Sequence, residues 1–335
     1  MIRLPLIALA LGTVALPVLA DEVNIYSHRQ PELIQPLLDA FTAETGITTN
    51  IAFVDKGMVE RLVAEGDRSP ADLVLTVDIA RLTQVVDAGV TQAVQSDVLE
   101  ANIPAAYRDA DDMWFGLTTR ARIVYASKDR VKPGEVTTYE DLASDKWKGR
   151  ICTRSGTNDY NLALLGAVVA HDGVEAATAW ATGLKANLAR KPDGGDRDQV
   201  KAIWAGECDI SLGNTYYMGQ MLSDPDQVPW AESVSIVFPT FEKTGGTHMN
   251  ISGVAMTKSA PNKAAALKLM EWLSSDQAQK IYAETNNEFP VKPGVPSSEL
   301  VTSWGTFTPD TIPLNDVAAQ RPEALKIIET IDFDG

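Results

Sequence analysis

The chain has 335 residues, 22% of them charged, and a formal net charge of −16 at neutral pH. So acidic a surface repels nucleic acid and anionic membranes. The length exceeds what one hydrophobic core usually fills, so two lobes are expected. The acidity fits a cationic ligand, and it fits plain solubility equally well.

The first twenty residues read as a secretory signal. Arg3 precedes the apolar run Leu4 to Val18, and Val18-Leu19-Ala20 offers a cleavage site after Ala20. The run is short for a bilayer span and is interrupted by Pro5 and Pro17, and no later stretch reaches roughly eighteen apolar residues. Cleavage would leave 335 − 20 = 315 residues and, with Arg3 gone, move the net charge from −16 to −17.

After the signal, strand and helix alternate. Val23 to Ser27 predicts a strand, Gln35 to Thr45 a helix stopped by Gly46, and Ile47 to Val54 a second strand. Met58 to Glu65, Ala71 to Thr76 and Ile79 to Ala88 continue as helix, strand and helix. This is the rhythm of parallel βαβ units and an α/β class. Met113 to Ser127 breaks it with one long strand-like run, suited to leaving one lobe and entering the next. Alternation resumes through Arg150–Thr153, Asn161–Ala170, Val174–Leu188, Asp196–Gly206 and Asp209–Leu212. Asn250 to Met256 is a second candidate crossing, followed by helices over Asn262–Ser274, Ser275–Thr285 and Val317–Ile331. Pro290 to Pro296 reads as an ordered connector. The expected architecture is two α/β lobes joined by two crossing strands that act as a hinge, the layout of a periplasmic binding protein. The first lobe would take residues 21–118 and 251–300, the second 119–250 and 301–335.

Two cysteines, Cys152 and Cys208, accompany the signal, and an oxidising compartment makes one disulfide the default. Each sits beside a strand, and bonding them would draw those strands together. Beyond the strand at Cys208 comes Asn214-Thr215-Tyr216-Tyr217, at the carboxyl end where α/β sheets place ligands. A tyrosine pair alone is more often packing. Tyr160, however, lies past the strand at Cys152, near the first turn of a helix that Ser155 or Thr157 could cap. Three phenols at two neighbouring strand ends suit a small hard cation. Phenolate is an anionic oxygen donor, and three of them would neutralise a trivalent ion. Each proton must first be expelled, because free phenol titrates near pH 10.

Arginine is the second theme. Arg120 and Arg122, at i and i+2 on the first crossing strand, project to one face, and a guanidinium fork matches a small oxyanion such as carbonate. Arg122 equally suits a structural carboxylate. Arg29, after the first strand, also faces the expected cleft. Of the three histidines, His28 is the candidate extra metal ligand, His171 reads as a helix C-terminal cap, and His248 precedes the second crossing near the cleft. There is no zinc spacing, nucleophile elbow, Walker loop or dinucleotide fingerprint, so no enzymatic activity is expected.

Tyr26-Ser27-His28-Arg29-Gln30, Ser69-Pro70-Ala71-Asp72, Trp114 to Arg122, Arg154-Ser155-Gly156 through Asn161, Gly194 to Asp198 and Gly213 to Tyr217 together resemble one family. It is the periplasmic ferric-iron-binding (FbpA-like) proteins of bacterial iron ABC transporters, and the likeness spans essentially the whole chain after the signal. The resemblance implies Fe³⁺ on Tyr160, Tyr216 and Tyr217, a carbonate-type anion at Arg120 and Arg122, an inner-membrane ABC permease as partner, and action as a monomer. Some members carry His-Tyr after the first-strand arginine; here Gln30-Pro31 stands there, which favours three tyrosines plus an anion. The alternative is capture of a small organic or oxyanionic solute by Arg29, Arg120 and Arg122, without metal.

Overall fold

The computed structural model describes residues 21–54 and 56–335, and the expected signal segment lies outside them. β1 (Glu22–Ser27), α1 (Pro31–Thr45), β2 (Thr48–Phe53), α2 (Met58–Glu65), β3 (Leu73–Thr76) and α3 (Ile79–Asp87) follow in the expected alternation. β1 pairs in parallel with both β2 and β3, as βαβ units require. After β4 (Thr91–Gln92) and α4 (Asp97–Asn102) comes the first crossing strand, β5 (Phe115–Ser127). The chain then builds β6 (Ile151–Cys152), α5 (Asp159–Ala186), α6 (Asp196–Trp204), β7 (Ile210–Asn214), α7 (Tyr216–Leu222), α8 (Val228–Glu232) and β8 (Val234–Val237). β9 (Met249–Thr257) returns, followed by α9 (Lys263–Leu273), α10 (Asp276–Thr285), β10 (Phe289–Pro290), α11 (Glu299–Ser303), α12 (Leu314–Ala319) and α13 (Arg321–Thr330).

The main sheet path runs β2-β1-β3-β9-β5-β7-β6. β5 joins its halves. Its first part, Phe115 to Ala121, pairs antiparallel with β9, and Arg122 to Ser127 pairs with β7 and β8. All thirteen residues are buried, which forces the polar ones, Thr118, Thr119, Arg120 and Arg122, to find partners inside the protein. Apolar packing separates along the same line. Ile25, Leu37, Phe41, Leu73, Phe115 and Leu269 share one core, and Val124, Trp147, Leu165, Ile210 and Ile328 another.

Local differences from the expected elements have plain causes. α1 starts at Pro31, ahead of Gln35, because a first-turn residue needs no amide donor. The two helices expected over 161–188 form as one span broken at Gly173, whose φ of 83° only glycine adopts freely. The helix expected over 317–331 is divided into α12 and α13 at Gln320, and Pro322 in the first turn of α13 cannot donate back across that junction. α5 is capped by Asn158, which accepts from the Tyr160 amide at 3.0 Å, rather than by Ser155 or Thr157; Ser155 instead binds Thr157 and Asp334.

Candidate metal centre

Cys152 and Cys208 form the disulfide, with Cα atoms 5.9 Å apart. β6 ends at Cys152 and β7 begins just past Cys208, and the two strands pair in parallel. Tyr160 stands eight residues beyond Cys152, and Tyr216 eight beyond Cys208. The crosslink therefore ties together the two strands whose carboxyl ends carry the phenols. Tyr160 occupies the first turn of α5, and Tyr216 and Tyr217 open α7. A helical start lets adjacent residues lean into one cleft, where a strand would have sent them to opposite faces.

The three phenols meet. Tyr216 Oη donates to Tyr160 Oη at 3.3 Å, Asn214 Nδ2 donates to Tyr216 Oη at 3.4 Å, and the Tyr216 and Tyr217 rings lie 4.3 Å apart. All three line a cleft of about 440 Å³. Burial, reinforced by Tyr160 and Tyr217, pushes the Tyr216 phenol well above its ordinary value. Burial does the same to Tyr217, with Tyr160 and Asp196 adding to it. Both are protonated at neutral pH, so a cation bound by their oxygens must expel those protons.

The arginines separate into kinds. Arg122 does not face the cleft. It is 2% exposed, and its Nη1 lies 2.6 Å from Asp196 Oδ2 and 3.2 Å from Asn214 Oδ1, while Nη2 donates to Asn161 at 2.6 Å. Of the two roles open to it in sequence, the structure shows the carboxylate pair, while its buried Nε has no hydrogen-bond partner. Arg29 is also neutralised: its Nη2 lies 2.9 Å from Glu288 Oε2 and donates to Ser252, so its charge is spent on an internal partner. Arg120 differs. At 1% exposure its Nη1 donates to Ser252 Oγ at 3.1 Å, but Nε and Nη2 have no hydrogen-bond partner, and no carboxylate among the described residues lies within 4.0 Å. It lines the cleft, with its guanidinium carbon 5.7 Å from the Tyr160 ring centre. A buried cation with open donors beside three phenols is a ready anion contact.

His28 lines the same cleft. His248 does not: it is 2% exposed and lies beneath the floor, where burial, with Arg122 and Arg120 beside it, pushes its imidazole down to about 3. His171 is not a simple cap, since its Nε2 sits 2.7 Å from Asp310 Oδ2 and its ring packs on Phe241.

Sequence reasoning did not single out Arg154. Its guanidinium carbon lies 5.4 Å from the Tyr160 ring centre, its Nη1 is 3.3 Å from Asp196 Oδ1, and its buried Nε has no partner. Its place two residues past Cys152, at the same strand end as Tyr160, was the available signal. Asp196 was also missed. It links Arg122, Arg154 and the Asn214 amide, which it accepts at 3.0 Å. Lys56, Arg81 and Arg197 join the lining against Asp159 and Glu288, so a markedly acidic protein encloses a cationic cleft.

Fold and cleft define a two-lobed binding protein of the type II periplasmic class. Residues 27–280 match the family model of the bacterial extracellular solute-binding proteins, and the chain belongs to that family. It is 46% identical over 312 residues to iron uptake protein A1 of Synechocystis sp., an alignment covering 92% of this chain and 86% of that protein. The crystal structure of apo ferric ion-binding protein A from Pasteurella haemolytica is 54% identical, with a TM-score of 0.91 over 94% of this chain and 99% of that one. A Trichodesmium protein (IdiA, FutA) in complex with iron and citrate ligands is 40% identical, with a TM-score of 0.88 over 93% and 99%.

Proposed function

We propose that this protein captures ferric iron in the periplasm and delivers it to an inner-membrane ABC permease. The observation that carries this is the meeting of three phenols, from two disulfide-tied strand ends, beside a buried guanidinium with open donors. The names of the relatives, iron uptake protein and ferric ion-binding protein, support it. Iron is cargo here, and the chain has the character of a transport protein rather than an enzyme. The periplasmic address rests on the expected signal over residues 1–20, and the lobe limits of 21–118 with 251–300 and 119–250 with 301–335 belong to the same proposal, as does action as a monomer.

In this reading Tyr160, Tyr216 and Tyr217 lose their protons to Fe³⁺ and bind it as phenolates, with His28 a further candidate donor from the first lobe. Three phenolate charges match the trivalent ion, and remaining positions go to a carbonate-type anion held by Arg120, with Arg154 as a second cation. Arg29 and Arg122 act from behind, fixing the cleft floor through Glu288 and Asp196. Closure of the lobes shields the ion from water. Reprotonation, loss of the anion or reduction releases it, since ferrous iron matches phenolate less well.

A second reading, capture of a metal-free carboxylate or oxyanion, is favoured by the cationic lining. Calorimetric titration of apo-protein with a weak ferric chelate, and separately with bicarbonate and citrate alone, separates the two. Stoichiometric iron uptake supports the first reading. Metal-free anion binding without iron uptake would replace it with the second.

A further inference from the structure

Asp159 immediately precedes Tyr160 at the opening of α5, and its two carboxylate oxygens point to different parts of the protein. Oδ2 lies 2.7 Å from Arg81 Nε, and Oδ1 lies 2.7 Å from Arg321 Nη2. Arg321 begins α13, which packs along α5 and stays with the phenols. Arg81 belongs to the first turns of α3, on the other side of the cleft. The ion pair Arg81–Asp159 therefore spans the cleft, and both partners line it. Arg81 is itself well anchored. Asp78 caps α3, accepting from the amides of Ala80 at 2.8 Å and Arg81 at 3.2 Å, and its second oxygen accepts from Asn250 Nδ2 at 2.7 Å. Asn250 sits opposite Arg120 in the β5–β9 register, on one of the two strands about which the lobes would turn.

From this geometry we infer that Arg81 is a positioning residue for the metal centre: reaching across the cleft to Asp159, it holds the first turn of α5, and Tyr160 with it, in the closed arrangement. Arg321 keeps the Asp159 carboxylate oriented from the second-lobe side, so the bond to Arg81 forms as the lobes approach. Tyr160 Oη accepts the hydrogen bond from Tyr216, so fixing Tyr160 fixes the spacing of the phenol set. A pair broken by lobe opening biases the open–closed equilibrium by its own differential strength, and such a pair acts on retention of the ion rather than on its first encounter.

The inference rests on the ferric reading, and the test distinguishes the two. Iron-loaded wild type, Arg81→Gln, Arg81→Lys, Asp159→Asn and the Arg81→Gln/Asp159→Asn double variant are challenged with excess chelator, and iron loss is followed in time. The thermal midpoint of each apo-protein is measured beside it. Arg81→Gln is expected to lose iron about five- to tenfold faster, the yield of one part-buried ion pair, with the apo midpoint unchanged. Arg81→Lys restores part of the retention, and the double variant loses iron no faster than the Arg81→Gln single. Wild-type retention in Arg81→Gln, or additive effects in the double variant, would overturn the inference and leave the ferric reading standing. Should Arg81→Gln fail to fold, Asp159→Asn decides: faster iron loss supports the pair, and a wild-type rate overturns it. No iron uptake by wild type overturns both.

Discussion

The two walls of the cleft are built on different plans. The second-lobe wall carries every phenol, on two strand ends tied by a disulfide and packed over the Arg122–Asp196 pair. Among the described residues, the first-lobe wall offers no phenol. Its contribution is charge and reach: Lys56 and Arg81 on its face, and Arg29 already neutralised by Glu288. On the ferric reading, one wall would be preset to bind and the other placed to close. A trivalent ion would then meet its donors while the cleft is open, and the first lobe would add retention afterwards. Arg120 lies between the two, on the strand both sheets share, where an anion would touch the floor rather than either wall.

This contrast can be broken at several points. The largest expected effect follows removal of the crosslink. Cys152→Ser with Cys208→Ser should destabilise the protein by about 4 kcal/mol on the loop-closure account, read from the urea midpoint. Iron affinity should fall with it, because the two phenol-bearing strands lose their tie. Next is the donor set. Tyr217→Phe should weaken iron binding by about a hundredfold, since a lost ligand costs at least as much as a lost supporting contact. The same variant should show an affinity that rises less steeply with pH, by about one proton per iron, because one fewer phenol must be deprotonated.

His248 sharpens the account of the floor. Its folded value lies below its unfolded one, so the unfolded chain binds more protons as the pH falls below the ordinary histidine range. Stability should then drop by about 1.4 kcal/mol per pH unit between about 6.5 and 3. His248→Gln, compared with wild type by denaturant titration at pH 7 and pH 5, should remove that part of the slope. The smallest effect falls on the anion contact. Arg120→Gln should lower iron affinity by about tenfold in bicarbonate and make it nearly insensitive to bicarbonate, as loss of one charge-assisted contact implies. Binding measured with and without added bicarbonate checks it.

Much of the fold was legible because periodicity and punctuation agreed. Gly46 ended α1, Gly173 broke α5, and the long strand-like run through Trp114 to Tyr125 announced a strand too long for one lobe. The tyrosines were legible because two strand ends and two cysteines placed them together. The arginines were not. Arg120 and Arg122 are two residues apart on one strand and share a face, yet β5 changes its pairing partner between them, from β9 to β7. Asp196, distant in sequence, then takes Arg122 and leaves Arg120 open. Which of two equivalent arginines meets a carboxylate is a fact of tertiary packing, invisible to local spacing. Asp159 and Arg81 were missed for the same reason, since their pairing depends on how two lobes face one another. Glu288, Arg29's partner, likewise comes from a connector after α10 with no local signal.

The central claim is that the second-lobe phenols are the iron ligands, and the visible spectrum tests it most directly. Apo-protein is titrated with ferric iron supplied as a weak chelate, with bicarbonate present, beside the Tyr160→Phe, Tyr216→Phe and Tyr217→Phe variants. The account predicts a broad phenolate-to-iron charge-transfer band that saturates at stoichiometric iron and weakens in each variant. Iron bound by folded wild-type protein without that band, or a band untouched by all three substitutions, would contradict it.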